Sequence, residues 1–219
     1  MCSSDLYFEN LVARIDTPAI TYVETWFFNQ LDFDIPHFAQ FIGRTSIHGF
    51  LEEAKLHFYD DCVSIHFGCR DPPGGKGSQI ALAITTLCHA LDWQVGCLAQ
   101  ICGKISPFLS NVERLLIKSS RGNIVLKDYE DNDSSQWLEI FHAFSALQQM
   151  YIPLSLGEII ASALQELTGE RVMDALPMLR RLYLPPRSAS IQEAIHPFAF
   201  SRQYSNHPVT FHLTGGEWD

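Results

Sequence analysis

The chain has 219 residues, 47% apolar and 18% charged, with 15 basic and 25 acidic residues and a formal net charge of −10. That supplies one sizeable core, excludes a disordered polyelectrolyte, and argues against nucleic acid or an anionic membrane as the main partner. No apolar run reaches the roughly 18 residues of a membrane span, and the first ten residues lack the parts of a secretory signal.

In chain order, the first six residues match the translation of a common sequencing-adapter tail. They are expected to be a non-native start, with residues 7–219 forming a single domain whose natural beginning lies upstream. The first strand-like pattern is Ile20, Val23, Thr25. A helix over 36–42 opens after Asp34 with Pro36 in its first turn and stops at Gly43. Leu51, Ala54 and Leu56 give a second strand pattern. Residues 63–67 alternate apolar and polar after Asp60 and Asp61, an extra hairpin arm against 54–58. The stretch DPPGGKGS at 71–78 is a surface loop. This hairpin and loop are expected to decorate the main architecture. Another strand pattern covers 80–86.

Asp92 is placed to cap a helix through Ile101, closed by Gly103, and Val112, Leu115, Ile117 form the next strand. Asp133 with Gln136 starts a helix over 136–144, followed by the strand Leu147, Met150, Ile152. Ser155 with Glu158 forms a capping box for 156–167, and Gly169 is its stop. Leu179, Leu182 and Leu184 follow, and Ser190 with Glu193 starts a final helix to about Arg202.

The strand patterns share one spacing: apolar, two residues, apolar, one residue, apolar. Their middle positions, Val23, Ala54, Leu115, Met150 and Leu182, lie 31, 61, 35 and 32 residues apart. Strand and helix alternate, which predicts an α/β fold with a parallel sheet. The sustained period predicts a leucine-rich-repeat-like solenoid, a curved parallel sheet with helices on the convex side and a small extra hairpin near 54–67. Typical periods of that class are about 20–29 residues, so these units are long. A doubly wound open α/β fold with coincidental spacing is the alternative.

Several phrases occur together: RIDTPAI at 14–20, FFNQL at 27–31, LDWQVGCLAQIC at 91–102, QWLEIF at 136–141, ALQELTGE at 163–170, LPMLRRLYL at 176–184 and IQEAIHPFAFSRQYSNHPV at 191–209. As a set they resemble the repeat region of the F-box/leucine-rich-repeat-like proteins of mushroom-forming fungi, over nearly the whole chain from about residue 7. The resemblance implies substrate-recognition repeats of a cullin-type ubiquitin ligase. It implies a Skp-type adaptor as a partner only if an F-box exists upstream, since none is readable here.

Candidate chemistry is sparse. Gly74 to Ser78 lacks the first glycine of a phosphate loop and has Gly77 after the lysine. Asp128, Glu130, Asn132, Ser134 and Glu139 fall at calcium-loop positions, but Asp133 stands where the sharp turn needs glycine. His57 and His66 lie on the two hairpin arms without a readable third ligand. Cys2, Cys62, Cys69, Cys88, Cys97 and Cys102 form no CxxC pair and read as free, largely buried thiols of an intracellular protein, in cytoplasm or nucleus. No catalytic residue, cofactor or metal is expected.

A protein-binding face is the better candidate. Residues alternating with the apolar ones project from the other side of each strand. This gives Tyr22, Glu24 and Trp26, then Glu53, Lys55 and His57, then Arg114, Leu116 and Lys118. Gln149, Tyr151 and Pro153 follow, then Arg181, Tyr183 and Pro185. Tyr22, Glu24, Trp26, Lys55, Arg114, Lys118, Tyr151, Arg181 and Tyr183 are the candidate contacts. Arg, Tyr and Trp dominate interface energetics, and the basic, aromatic later half suits an acidic protein target. The competing functional readings are a fragment without retained activity and a small α/β enzyme, the latter requiring His57, His66 and an acid around one cavity.

Overall fold

A computed structural model describes residues 3–15, 19–28, 33–47, 51–69, 79–120 and 134–214. Chain order is α1 (Ser3–Arg14), β1 (Val23–Phe28), α2 (Pro36–Arg44), β2 (Glu53–Phe58), β3 (Cys62–Cys69), β4 (Gln79–Leu87), α3 (Leu91–Leu109), β5 (Arg114–Ser119), α4 (Ser134–Ala143), β6 (Gln149–Tyr151), α5 (Gly157–Gln165), β7 (Arg181–Leu184), α6 (Ala189–Tyr204) and β8 (Thr210–Leu213). The fold is α/β, with a mixed eight-stranded sheet ordered β1-β4-β3-β2-β5-β6-β7-β8. Each helix packs against the next in chain order, from α1 to α6.

The repeated spacing marks one real ladder. Ala54 faces Leu115, Leu115 faces Met150, Met150 faces Leu182, and Leu182 faces Phe211, all in parallel pairs. Ala54, Leu115, Met150 and Leu182 are fully buried with Leu56, Phe58 and Leu184. Alternate residues of these strands therefore point into a helix-covered core, where Trp137 of α4 lies between Phe58 (ring centroids 5.8 Å apart) and Phe141 (5.9 Å).

The sheet is not the leucine-rich-repeat-like solenoid with a small added hairpin that the spacing predicts, because it is mixed rather than parallel throughout. β3 is antiparallel to both β2 and β4, and β1 joins β4 rather than β2. The hairpin is not a decoration, since β3 and β4 are interior strands of the sheet, between β1 and β2. The physical reason is local closure. The short link over 59–61 returns β3 onto β2, and Tyr59 N–H bonds the Cys62 carbonyl at 2.9 Å. A tight hairpin costs less loop entropy than a crossover. β4 then fills β3's other edge, so Val23 pairs with Leu82, and the 61-residue step contains a hairpin instead of a hidden repeat.

Helix ends follow packing more than capping. α3 runs past Gly103 to Leu109. The Ser155–Glu158 box does not form: a 3-10 turn, Leu154–Leu156, leads into α5 with Leu156 at its N-cap and no side-chain bond. Gly169 does adopt a left-handed φ of 61° beyond α5. Gly157 has a different reason to be glycine, because a Cβ there would overlap the side chain of Ile191 where α5 meets α6.

α1 had no reading in the sequence pattern. The Glu9 carboxylate accepts from His37 N–H (2.6 Å) and Phe38 N–H (3.2 Å), capping the start of α2. Phe8 packs edge-on to Phe27 at 5.3 Å and against Phe38 at 5.5 Å. Phe8 thus covers part of the apolar underside of the first unit, while Leu11, Tyr22, Trp26 and Phe28 stay exposed. The phosphate-loop and most calcium-loop positions, with Cys2, lie outside the described residues.

Candidate protein-interaction surface

The sheet face opposite the helix-covered core carries every candidate contact read from the sequence, with Tyr22 just before β1, although Tyr151 and its neighbours Leu116 and Glu53 on that face are themselves buried. Pairing registers arrange it in rows. The middle row runs Glu24, Ala83, His66, Lys55, Leu116, Tyr151, Tyr183, His212. A row toward the strand starts runs Glu53, Arg114, Gln149, Arg181, Thr210. A row toward the strand ends runs Trp26, Thr85, Ser64, His57, Lys118.

Two clusters form on this face. At the β1 edge, Tyr22 donates its hydroxyl to Glu24 Oε2 (2.7 Å) and Trp26 donates Nε1–H to Glu24 Oε1 (3.0 Å). The Tyr22 bond, then the Trp26 bond, hold the Glu24 carboxyl below its usual range, and the bonded carboxylate raises the Tyr22 phenol. Both carboxylate oxygens are thereby occupied.

The second cluster spans β2 and β5–β8. Glu53, nearly buried, pairs with Arg114 at 2.8 Å and with Lys55 at 3.4 Å. Arg114 also donates to the Tyr151 hydroxyl at 3.1 Å and lies 5.5 Å from the centre of the Tyr151 ring. Tyr151 stacks on Tyr183 at 4.2 Å with an 8° interplanar angle, and Tyr183 stacks on His212 at 5.1 Å. Parallel neighbours in register lie about 4.8 Å apart, which is close to ring-stacking distance. The strand spacing thus sets the spacing of the stack, and the pairing register brings the three rings into one row.

Among the described residues, no carboxylate pairs with Arg181 or Lys118, although Arg181 is exposed and Lys118 half-exposed. Sequence reading missed His212 and Thr210, which extend two of these rows. The available signal was Phe211 and Leu213, two of the three positions of the strand motif, with Phe211 29 residues after Leu182 and Pro208 at the first motif position.

His57 and His66 lie on the open face as diagonal neighbours on β2 and β3. His57 faces Ser64 and bonds Ser120 Oγ at 2.7 Å, while His66 faces Lys55. Burial lowers both imidazoles below their ordinary value. Lys118 adds to this at His57 and Lys55 at His66, while Glu24 opposes it at His66. Among the described residues no group of three His, Cys, Asp or Glu is placed to hold a metal ion. Cys88, Cys97 and Cys102 are buried and Cys62 half-buried, none of them in a disulfide. Burial pushes the Cys102 thiol up to about 12, and burial with Asp61 pushes Cys62 up to about 11. High thiol pKa values leave little thiolate at neutral pH, which disfavours nucleophilic chemistry at these two positions.

No protein-family model, curated protein or solved structure matches the chain. Among the described residues, no helix is long and apolar enough to cross a membrane.

Proposed function

We propose that the chain is a protein-recognition unit that binds a partner on its open sheet face, without catalysing a reaction. The block β2 and β5–β8 would be a leucine-rich-repeat-like array. The sequence resemblance makes its role the selection of targets for a cullin-type ubiquitin ligase inside the cell. The observation carrying the reading is the stacked row Tyr151–Tyr183–His212, flanked by Arg114 and Arg181. Aromatic and arginine side chains in a rigid, partly desolvated arrangement are those that contribute most at protein interfaces.

Quantitative affinity capture from an extract tests this, comparing the wild type with Tyr183→Ser and with Arg44→Glu on the exposed side of α2. Specific proteins depleted by Tyr183→Ser and retained by Arg44→Glu support the reading. Identical capture by all three chains contradicts it.

A further inference from the structure

The open face is divided by charge. β1, β3 and β4 contain no Lys or Arg, whereas β5–β8 contain no Asp or Glu and carry Arg114, Lys118 and Arg181. This positive block belongs to a chain with ten more acidic than basic residues. Glu53 on β2 pairs with both Arg114 and Lys55, and among the described residues no carboxylate pairs with Lys118 or Arg181. They lie on opposite sides of the aromatic row, Arg181 in the row toward the strand starts and Lys118 in the row toward the strand ends.

Their separation follows from the lattice. Two strand spacings of about 4.8 Å and four residues along a strand, at about 3.3 Å each, put their Cα atoms roughly 16 Å apart on a diagonal. An extended peptide covers that distance in about five residues. The diagonal crosses Tyr151 and Leu116, each only 5% exposed, with the half-buried Tyr183 beside it.

We propose that this diagonal seats an extended acidic peptide segment of another protein, its carboxylates near Arg181 and Lys118 and an apolar ring against the half-buried Tyr183, which Tyr151 backs from below the surface. The proposal rests on the protein-recognition reading and names the chemistry of its partner. Charge complementarity favours carboxylates over a nucleic-acid backbone. A nucleic acid would extend its repeated negative charge over the rest of an acidic chain, and among the described residues of β5–β8 only two cations without a carboxylate partner meet it.

The experiment is a fluorescence-polarisation titration of the full chain with a labelled peptide, EEGFGEE, and its neutral counterpart QQGFGQQ. EEGFGEE should bind saturably, QQGFGQQ about tenfold more weakly, and raised salt should weaken the acidic peptide alone. Arg181→Glu and Lys118→Glu should each lower EEGFGEE affinity about tenfold, and Arg44→Glu less than about twofold. Arg181 is exposed and makes no ion pair among the described residues, so its variant should fold, as thermal unfolding will show. Absence of EEGFGEE binding, equal binding of QQGFGQQ, or insensitivity to Arg181→Glu overturns the proposal. So does tighter binding of a single-stranded oligothymidylate than of EEGFGEE. Any of these results leaves the broader reading to be judged by capture with Tyr183→Ser.

Discussion

The β2, β5–β8 block and the β1, β4, β3 block share one sheet but are built by different rules. The first is a register-locked series in which Ala54, Leu115, Met150, Leu182 and Phe211 occupy equivalent places, with helices α4–α6 bridging adjacent strands. The second depends on antiparallel closure, β2 to β3 and β3 to β4, with β1 added at the edge. Their open faces differ accordingly. One presents cations and stacked rings; the other presents Trp26, Phe28 (70% exposed) and a carboxylate already engaged by its neighbours. A repeating backbone can stack like side chains in rows, and a hairpin insertion interrupts that regularity.

The comparison can be broken most forcefully in the repeating block. Arg202 on α6 is 1% exposed and donates to the carbonyls of Pro177 (3.0 Å), Leu179 (2.9 Å) and His207 (3.1 Å). It ties the chain entering β7 to the chain leaving α6. Arg202→Met would keep much of the stem and orphan those carbonyls, costing about 3 kcal/mol in urea-induced unfolding. Gly157→Ala should cost about 2 kcal/mol by the same measurement, because the added methyl displaces Ile191 between α5 and α6.

The N-terminal block should respond less. Glu9→Ala removes the carboxylate that caps α2 and should cost about 1 kcal/mol. Trp26→Ser should change stability by less than about 0.5 kcal/mol, since the ring is half exposed at an edge. Binding of EEGFGEE should be unaffected by it.

The smallest effect lies at the junction of the blocks. His57 and His66 have imidazoles lowered from 6.5 in the folded chain. Between that unfolded value and the lower folded one, the unfolded chain binds more protons, so stability falls as the pH drops below about 6.5. Replacing both with Gln should flatten this decline in urea midpoints measured across that window.

Legibility followed the same division. The pattern at Leu115, Met150 and Leu182 placed three adjacent strands and fixed which side chains share the open face, because a two-residue alternation determines both at once. The same pattern at Val23 named a strand but not its neighbour, since Val23 and Ala54 keep the spacing while β3 and β4 separate them. Edge choice depends on which strand closes first, and a spacing does not carry that. α1 escaped notice because its anchors, Phe8, Glu9 and Val12, serve partners elsewhere in the chain. His212 escaped because Pro208 breaks the motif one position before Val209 is buried. The capping boxes at Ser155 and Ser190 were legible but wrong in detail: the helices begin at Gly157 and Ala189, where packing against neighbouring helices sets the start.

The most direct test of the open face as a recognition surface is two-dimensional NMR of the isotopically labelled chain titrated with EEGFGEE. The largest shift changes should fall on Arg114–Ser119, Gln149–Tyr151 and Arg181–Leu184, with α1–α6 nearly unmoved. Changes concentrated on the helices, or on Val23–Phe28 alone, would contradict the account.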